Sequence, residues 1–224
     1  MRSVMAAIVV CTSAVTAWGQ FPSSEELVDR LRGGGVLMHF VMLEQPSVQK
    51  EINATPQQVQ AAKELTQQLK GELQGLAQLQ RQEAAVKVAK TREAAQAALN
   101  RLLSPPQIAR LQQIGLQQAG PLIGMSNPDV AKSLSLNPMQ QSQLRELQES
   151  LLNQAVAAAQ STAGGARGRA LLQTLRELQS AKQTADAKSL AMLSPEQQAR
   201  WKQLQGAPFQ GETQFNRLRD RFGR

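Results

Sequence analysis

Apolar residues in this chain recur at intervals of three and four, not two. Ala62, Leu65, Leu69, Leu73, Leu76 and Leu79 form one such stripe, and Leu171, Leu172, Leu175 and Leu178 form another. That spacing gathers side chains on one face of an α-helix, whereas a half-buried strand needs strict alternation. The stripes are narrow and coiled-coil-like, and Gln, Lys, Arg and Glu fill the positions between them. Each helix therefore has one face to bury and a wider one to solvate. Gly71 and Gly75 weaken the first stretch, at about 1 kcal/mol each relative to Ala. The later stretch is broken by Ser161-Thr-Ala-Gly164-Gly165-Ala-Arg167-Gly168, which predicts a hairpin. Residues 56–103 have no break so clear and read as one long helix or as a hairpin; the parallel with the later stretch favours the hairpin. Nearer the start, Ser23 or Ser24 can cap a short helix through Leu31, Gly33-Gly34-Gly35 stops it, and Val36 to Leu43 predicts another short helix.

Four tetrads punctuate these stretches: Thr55-Pro56-Gln57-Gln58, Ser104-Pro105-Pro106-Gln107, Asn137-Pro138-Met139-Gln140 and Ser194-Pro195-Glu196-Gln197. Each predicts a helix start. Thr55, Ser104, Asn137 and Ser194 are N-caps, whose side-chain oxygen accepts from an otherwise unpaired backbone N–H. Pro56, Pro105, Pro138 and Pro195 fall at the first helical position, which tolerates a missing N–H. Gln58, Gln107, Gln140 and Gln197 fall two residues later and can reach back to the cap's own N–H, closing a capping box. A hydrophobic staple accompanies only part of the set: Leu103 faces Ile108 and Ala54 faces Val59, but the later caps are followed by Gln141 and Gln198.

The tetrads also expose a duplication. The lead-in Pro46, Val48, Lys50, Ile52 and Pro56 repeats as Pro128, Val130, Lys132, Leu134 and Pro138, each 82 residues later. Leu103, Pro105, Gln107, Ala109, Arg110, Leu111 and Gln113 repeat as Leu193, Pro195, Gln197, Ala199, Arg200, Trp201 and Gln203, each 90 residues later. Even the exits agree, Gly120-Pro121-Leu122 against Ala207-Pro208-Phe209. Two helical repeats follow, 36–124 and 125–209, with a longer insert in the second. The expected fold is all-α: two tandem copies of a helical-hairpin unit with long amphipathic antiparallel helices, cradle- or bundle-like.

The first residues belong elsewhere. Arg2, the short apolar run Val4 to Val15 and the small-residue site Val15-Thr16-Ala17 read as a secretory signal, 1–17, cut after Ala17 or Gly19. The expected location is periplasmic or secreted. Residues 18–35 form a lead segment. Cys11, the single cysteine, lies inside the signal, so the mature chain has neither a disulfide nor a thiolate ligand. No later apolar run approaches the roughly 18 residues that span a bilayer. The basic C-terminal tail, 210–224, sets Phe215, Leu218 and Phe222 on one helical face among Arg217, Arg219, Arg221 and Arg224. It could touch a membrane surface through 215–224, although such tails more often fray.

Composition narrows the chemistry. The chain of 224 residues has no Tyr, is 3% aromatic and carries a formal charge of +8, one unit of which leaves with Arg2. A basic, mixed-charge helical surface is compatible with anionic partners, but no nucleic-acid partner is expected of an exported chain. His39 is the sole histidine, which leaves nothing to build a Ser-His-Asp set with a choice of bases or a His-rich metal site. Neither Gly33-Gly34-Gly35 nor Gly164-Gly165-Ala-Arg-Gly168 ends in the Gly-Lys-Ser/Thr of a phosphate loop. Trp201 stands where the earlier repeat has Leu111, which points to packing. No catalytic residue, metal ligand or cofactor site is expected, and the chain does not read as an enzyme.

Leu103-Ser-Pro-Pro-Gln107, Leu136-Asn-Pro-Met-Gln140 and Leu193-Ser-Pro-Glu-Gln197 resemble the LTxxQ motif of the periplasmic Spy/CpxP-like family. The first copy has Ala54 in place of the leucine, and the three leucine-bearing copies replace threonine by Ser or Asn, which cap equally well. The resemblance covers most of 46–209. It implies all-α, cradle-shaped dimers of antiparallel helices acting as ATP-independent chaperones or envelope-stress modulators. Family members commonly carry two motifs; four here imply two such units in tandem, packed as an intramolecular pseudo-dimer. Expected partners are unfolded or envelope proteins, with self-association also open. The alternative is a structural scaffold of the envelope without client binding.

Overall fold

The computed structural model describes residues 38–74, 81–163 and 169–211. The expected signal, the lead segment 18–35, the glycine-rich break at 164–168 and the tail from 212 onward lie outside the described residues. Among the described residues every regular element is a helix and none is a strand.

The helices are α1 (38–43), α2 (Pro46–Glu51), α3 (Pro56–Gln74), α4 (Arg81–Leu102), α5 (Pro105–Ala119), α6 (Pro121–Met125), α7 (Pro128–Ser133), α8 (Pro138–Ala163), α9 (Arg169–Ala191) and α10 (Pro195–Gln205). Seven of them open on a proline: Pro46, Pro56, Pro105, Pro121, Pro128, Pro138 and Pro195. Proline's fixed φ suits the first helical position, and its missing N–H costs nothing there. The four tetrad prolines are among them, so the helix starts fall where the sequence places them.

Residues 56–103 contain two helices, α3 and α4, which pack against each other. They run antiparallel, because Gln58 at the start of α3 meets Leu102 at the end of α4, while Glu72 near the end of α3 accepts from Thr91 on α4 at 2.9 Å. Helices α8 and α9 likewise pack against each other, and Gln140 at the start of α8 meets Met192, just beyond α9.

Two apolar clusters form the core. The first joins Phe40, Met42, Leu43, Val48, Ile52, Ala62, Leu69, Ala95, Leu99, Leu103, Leu111 and Ile114. The second joins Leu122, Met125, Val130, Leu134, Leu136, Leu144, Ala185, Leu193 and Trp201. Burial of such side chains contributes roughly 1.5–3 kcal/mol each, relative to leaving them in water. The short helices end alike: Asn53 after α2 has φ 51° and Ser135 after α7 has φ 52°. This left-handed residue turns the chain from each short helix into the next long one.

The chain crosses between the clusters at two glycines in the left-handed region, Gly120 (φ 82°) and Gly206 (φ 65°). At Gly120 it leaves α5, whose Leu111 and Ile114 belong to the first cluster, for Leu122 and Met125 in the second. At Gly206 it leaves α10, whose Trp201 belongs to the second cluster, and Phe209 packs against the first. A Cβ on Gly120 would lie 2.7 Å from Lys182 Nζ, and one on Gly206 would meet the Gln113 amide. Conformation and space both call for glycine at these crossings. Helices α5 and α10 pack together between the two clusters.

Candidate functional site

The tetrad glutamines do more than cap. In the first tetrad, Thr55 N–H donates to Gln58 Oε1 at 2.9 Å and Gln58 N–H donates to Thr55 Oγ1 at 3.2 Å. In the third, Asn137 N–H and Gln140 N–H make the same exchange at 3.0 and 2.8 Å. In the fourth, Ser194 and Gln197 do so at 2.9 and 3.2 Å. In the second, Ser104 N–H donates to Gln107 Oε1 at 2.9 Å, and the Ser104 hydroxyl lies 3.1 Å from the same oxygen. Where a hydrophobic staple is missing, a polar one stands in. Gln141 Nε2 donates to Leu136 O at 2.9 Å, and Gln198 Nε2 donates to Leu193 O at 3.1 Å. The Ser194 hydroxyl also donates to Glu196 at 2.7 Å, and this bond, first among several causes, holds the Glu196 carboxyl below its ordinary range.

Capping uses only the amide oxygen; the amide NH2 is left with two donors. Here those donors bring tetrads together in pairs. Gln58 Nε2 donates to Gln107 Oε1 at 3.0 Å, and Gln107 Nε2 donates back to Gln58 Oε1 at 3.1 Å. Gln140 and Gln197 form the same reciprocal pair at 2.8 and 3.2 Å. Each amide also donates to backbone carbonyls at the end of a neighbouring element. Gln58 reaches Leu102 O, Gln107 reaches Ile52 O, Gln140 reaches Met192 O and Gln197 reaches Leu134 O. One pair sits at the base of each apolar cluster. The tetrads are thus joined as first with second and third with fourth. The pairing itself was not read from the sequence; the uncommitted NH2 donors were the available signal.

Two polar joints hold the crossings. Arg110 on α5 grips Glu51 on α2, with Nε 2.9 Å and NH2 2.6 Å from Oε1, and its NH1 donates to Ala207 O at 2.8 Å. Gln117 Nε2 donates to Gln205 O at 2.7 Å, while Gln117 Oε1 accepts from Phe209 N–H at 2.8 Å. At the other crossing, Asp186 accepts from Leu122 N–H at 3.0 Å and from Lys182 at 2.6 Å. These partners lie 59 to 97 residues apart for Arg110 and 64 for Asp186 with Leu122, a separation that no local sequence signal reports.

His39 lies on α1 beside Gly115, where an added Cβ would come within 3.3 Å of the imidazole Nε2. Its Nδ1 is buried without a hydrogen-bond partner. Burial disfavours the charged ring, pushing its pKa down from 6.5 to about 4. Trp201 is likewise buried, against Gly124. Gln148 Oε1 on α8 is the other buried side-chain atom without a partner among the described residues.

Surface chemistry is sparse. Among the described residues the large apolar side chains left exposed are Met38, Val86, Met139 and Leu172, on four different helices. On helices α8 and α9, Leu151 packs against the second cluster, and Leu152, Val156 and Leu178 are half-buried. No cluster of His, Cys, Asp and Glu among the described residues could hold a metal ion, and no described helix is long and apolar enough to cross a membrane. Compared with known proteins, the chain matches no family model, no curated protein and no solved structure.

Proposed function

We propose that this chain is an exported helical binding protein that holds partly unfolded or envelope polypeptides without ATP, in the manner of the LTxxQ-motif family it resembles. Its framework is two tandem helical-hairpin units arranged as an intramolecular pseudo-dimer. The paired glutamines, the matching left-handed turns at Asn53 and Ser135 and the two crossings at Gly120 and Gly206 support that arrangement. Neither an enzymatic step nor a cofactor enters this reading.

One observation carries the binding function. Leu152, Val156 and Leu178, on the paired helices α8 and α9, stay only half-buried. Polar and charged residues flank them, including Gln154, Glu149 and Arg176. Shallow apolar strips in a polar frame suit weak, adaptable contacts with exposed apolar segments, and the net positive charge adds electrostatic capture.

The competing reading is a scaffold of the envelope with no client. The scatter of Met38, Val86, Met139 and Leu172 over separate helices favours it, since among the described residues these four are not gathered on one helix. An aggregation assay separates the two. With a reduced, unfolding client at equimolar ratio, the binding reading expects light scattering to fall well below the client-only trace, and Leu152→Gln with Val156→Gln to restore it. Unchanged scattering with the unaltered protein leaves the scaffold.

A further inference from the structure

We propose that Asn53 is an acceptor for an N-linked saccharide. In Glu51-Ile52-Asn53-Ala54-Thr55, a hydroxyl residue follows the asparagine by two positions with no proline between, the sequon that oligosaccharyltransferases read. Glu51 adds the acidic residue two positions before it that the bacterial form of the sequon requires. None of the other five asparagines of the chain carries Ser or Thr two positions on.

The structure supplies the context that a bare motif lacks. Asn53 is exposed, in the turn between α2 and α3. Its backbone is committed, with N–H donating to Lys50 O at 3.2 Å and the carbonyl accepting from Gln107 Nε2 at 3.3 Å. Its side-chain amide makes no hydrogen bond among the described residues. Three other asparagine side chains are occupied: Asn127 and Asn137 cap helices, and Asn100 accepts from Gln96. The left-handed turn does not by itself demand asparagine, because Ser135 adopts φ 52° at the position 82 residues on. Asn53 also borders a recess lined by Ser47, Lys50, Glu51, Phe209 and Gly211, where a first sugar ring finds an aromatic edge and a cation.

In the folded chain Glu51 is held by Arg110, and the Thr55 hydroxyl accepts from Gln58 N–H. Transfer therefore precedes the docking of α2 and α3, while the exported segment is still extended. The amide nitrogen Nδ2 attacks the anomeric carbon of a saccharide carried on a lipid pyrophosphate. A C–N bond forms as the C–O bond to pyrophosphate breaks, and one amide proton leaves with the lipid pyrophosphate. Nothing is oxidised or reduced. The fold afterwards only has to leave Nδ2 clear, and it does.

The site rests on the export reading, and one experiment tests both separately. The full chain is isolated from its own cell envelope, and its N-terminus and the peptide containing Asn53 are read by mass spectrometry. The expected result is a chain lacking residues 1–17, with a glycan-sized mass increase and saccharide fragment ions on that peptide. Asn53→Gln and Glu51→Gln lose the increase; Thr55→Ser, which keeps both the sequon and the helix cap, retains it. A processed chain with unmodified Asn53 overturns the site alone. An unprocessed chain overturns export, and the site with it.

Discussion

Single residues in this fold carry costs that can be read off their surroundings. Gly71 sits within α3, and a Cβ added there would meet nothing within 4 Å. Gly71→Ala should therefore stabilise the chain by about 0.5–1 kcal/mol, since helical glycine is disfavoured and no clash opposes the change; a chemical-denaturation midpoint checks it. His39 acts in the opposite sense. Its folded pKa of about 4 lies below the unfolded 6.5, so the unfolded chain takes up the proton first. The contribution of neutral His39 is whole above pH 6.5 and is lost as the pH falls towards 4, by up to about 3 kcal/mol. His39→Leu should flatten the fall in stability between pH 6.5 and 4, whatever offset the change of side chain adds at pH 8. Equal acid slopes for both proteins in a pH series of thermal melts would sink this assignment.

At the scale of elements, repeated positions share space differently in the two clusters. The 82-residue offset relates Met42 to Gly124, and the 90-residue offset relates Leu111 to Trp201. In the first cluster both positions are filled by medium side chains, Met42 and Leu111, each fully buried. In the second the larger Trp201 meets a glycine, and a Cβ on Gly124 would lie 2.6 Å from its ring. The two solutions trade volume between neighbouring helices, as close-packed interiors require. Gly124→Met alone should destabilise by more than about 3 kcal/mol through overpacking, and Trp201→Leu alone by a similar amount through a cavity. The double change should recover much of both losses; additive losses in a double-mutant cycle of melting curves would show that the positions do not share a space.

On the scale of the whole molecule, what was legible in the sequence was local. Capping chemistry acts within four residues, so Thr55, Ser104, Asn137 and Ser194 could be read as helix starts, and the all-α class followed from apolar spacing. What could not be read was contact between distant residues. The meeting of Gln58 with Gln107, 49 residues away, depends on the antiparallel packing of whole helices. Arg110 was visible as a repeated residue, but nothing near it announced Glu51 or Ala207 as partners. The candidate binding strip was half legible: Leu178 belongs to a periodic stripe, yet its half-burial depends on tertiary packing, which periodicity does not encode.

The crossing at Gly206 sets an order of events. Phe209 and the carbonyl of Ala207 complete the surroundings of the first cluster, although most of that cluster comes from residues 40–114. A chain made from its N-terminus meets these last contacts only after about 95 further residues have emerged, and contacts so distant in sequence form late. The first half must wait, nearly built, for the end of the second. During that interval Ile114, Leu111 and their neighbours lack their final cover, and the growing chain carries an apolar surface that only its own last residues close.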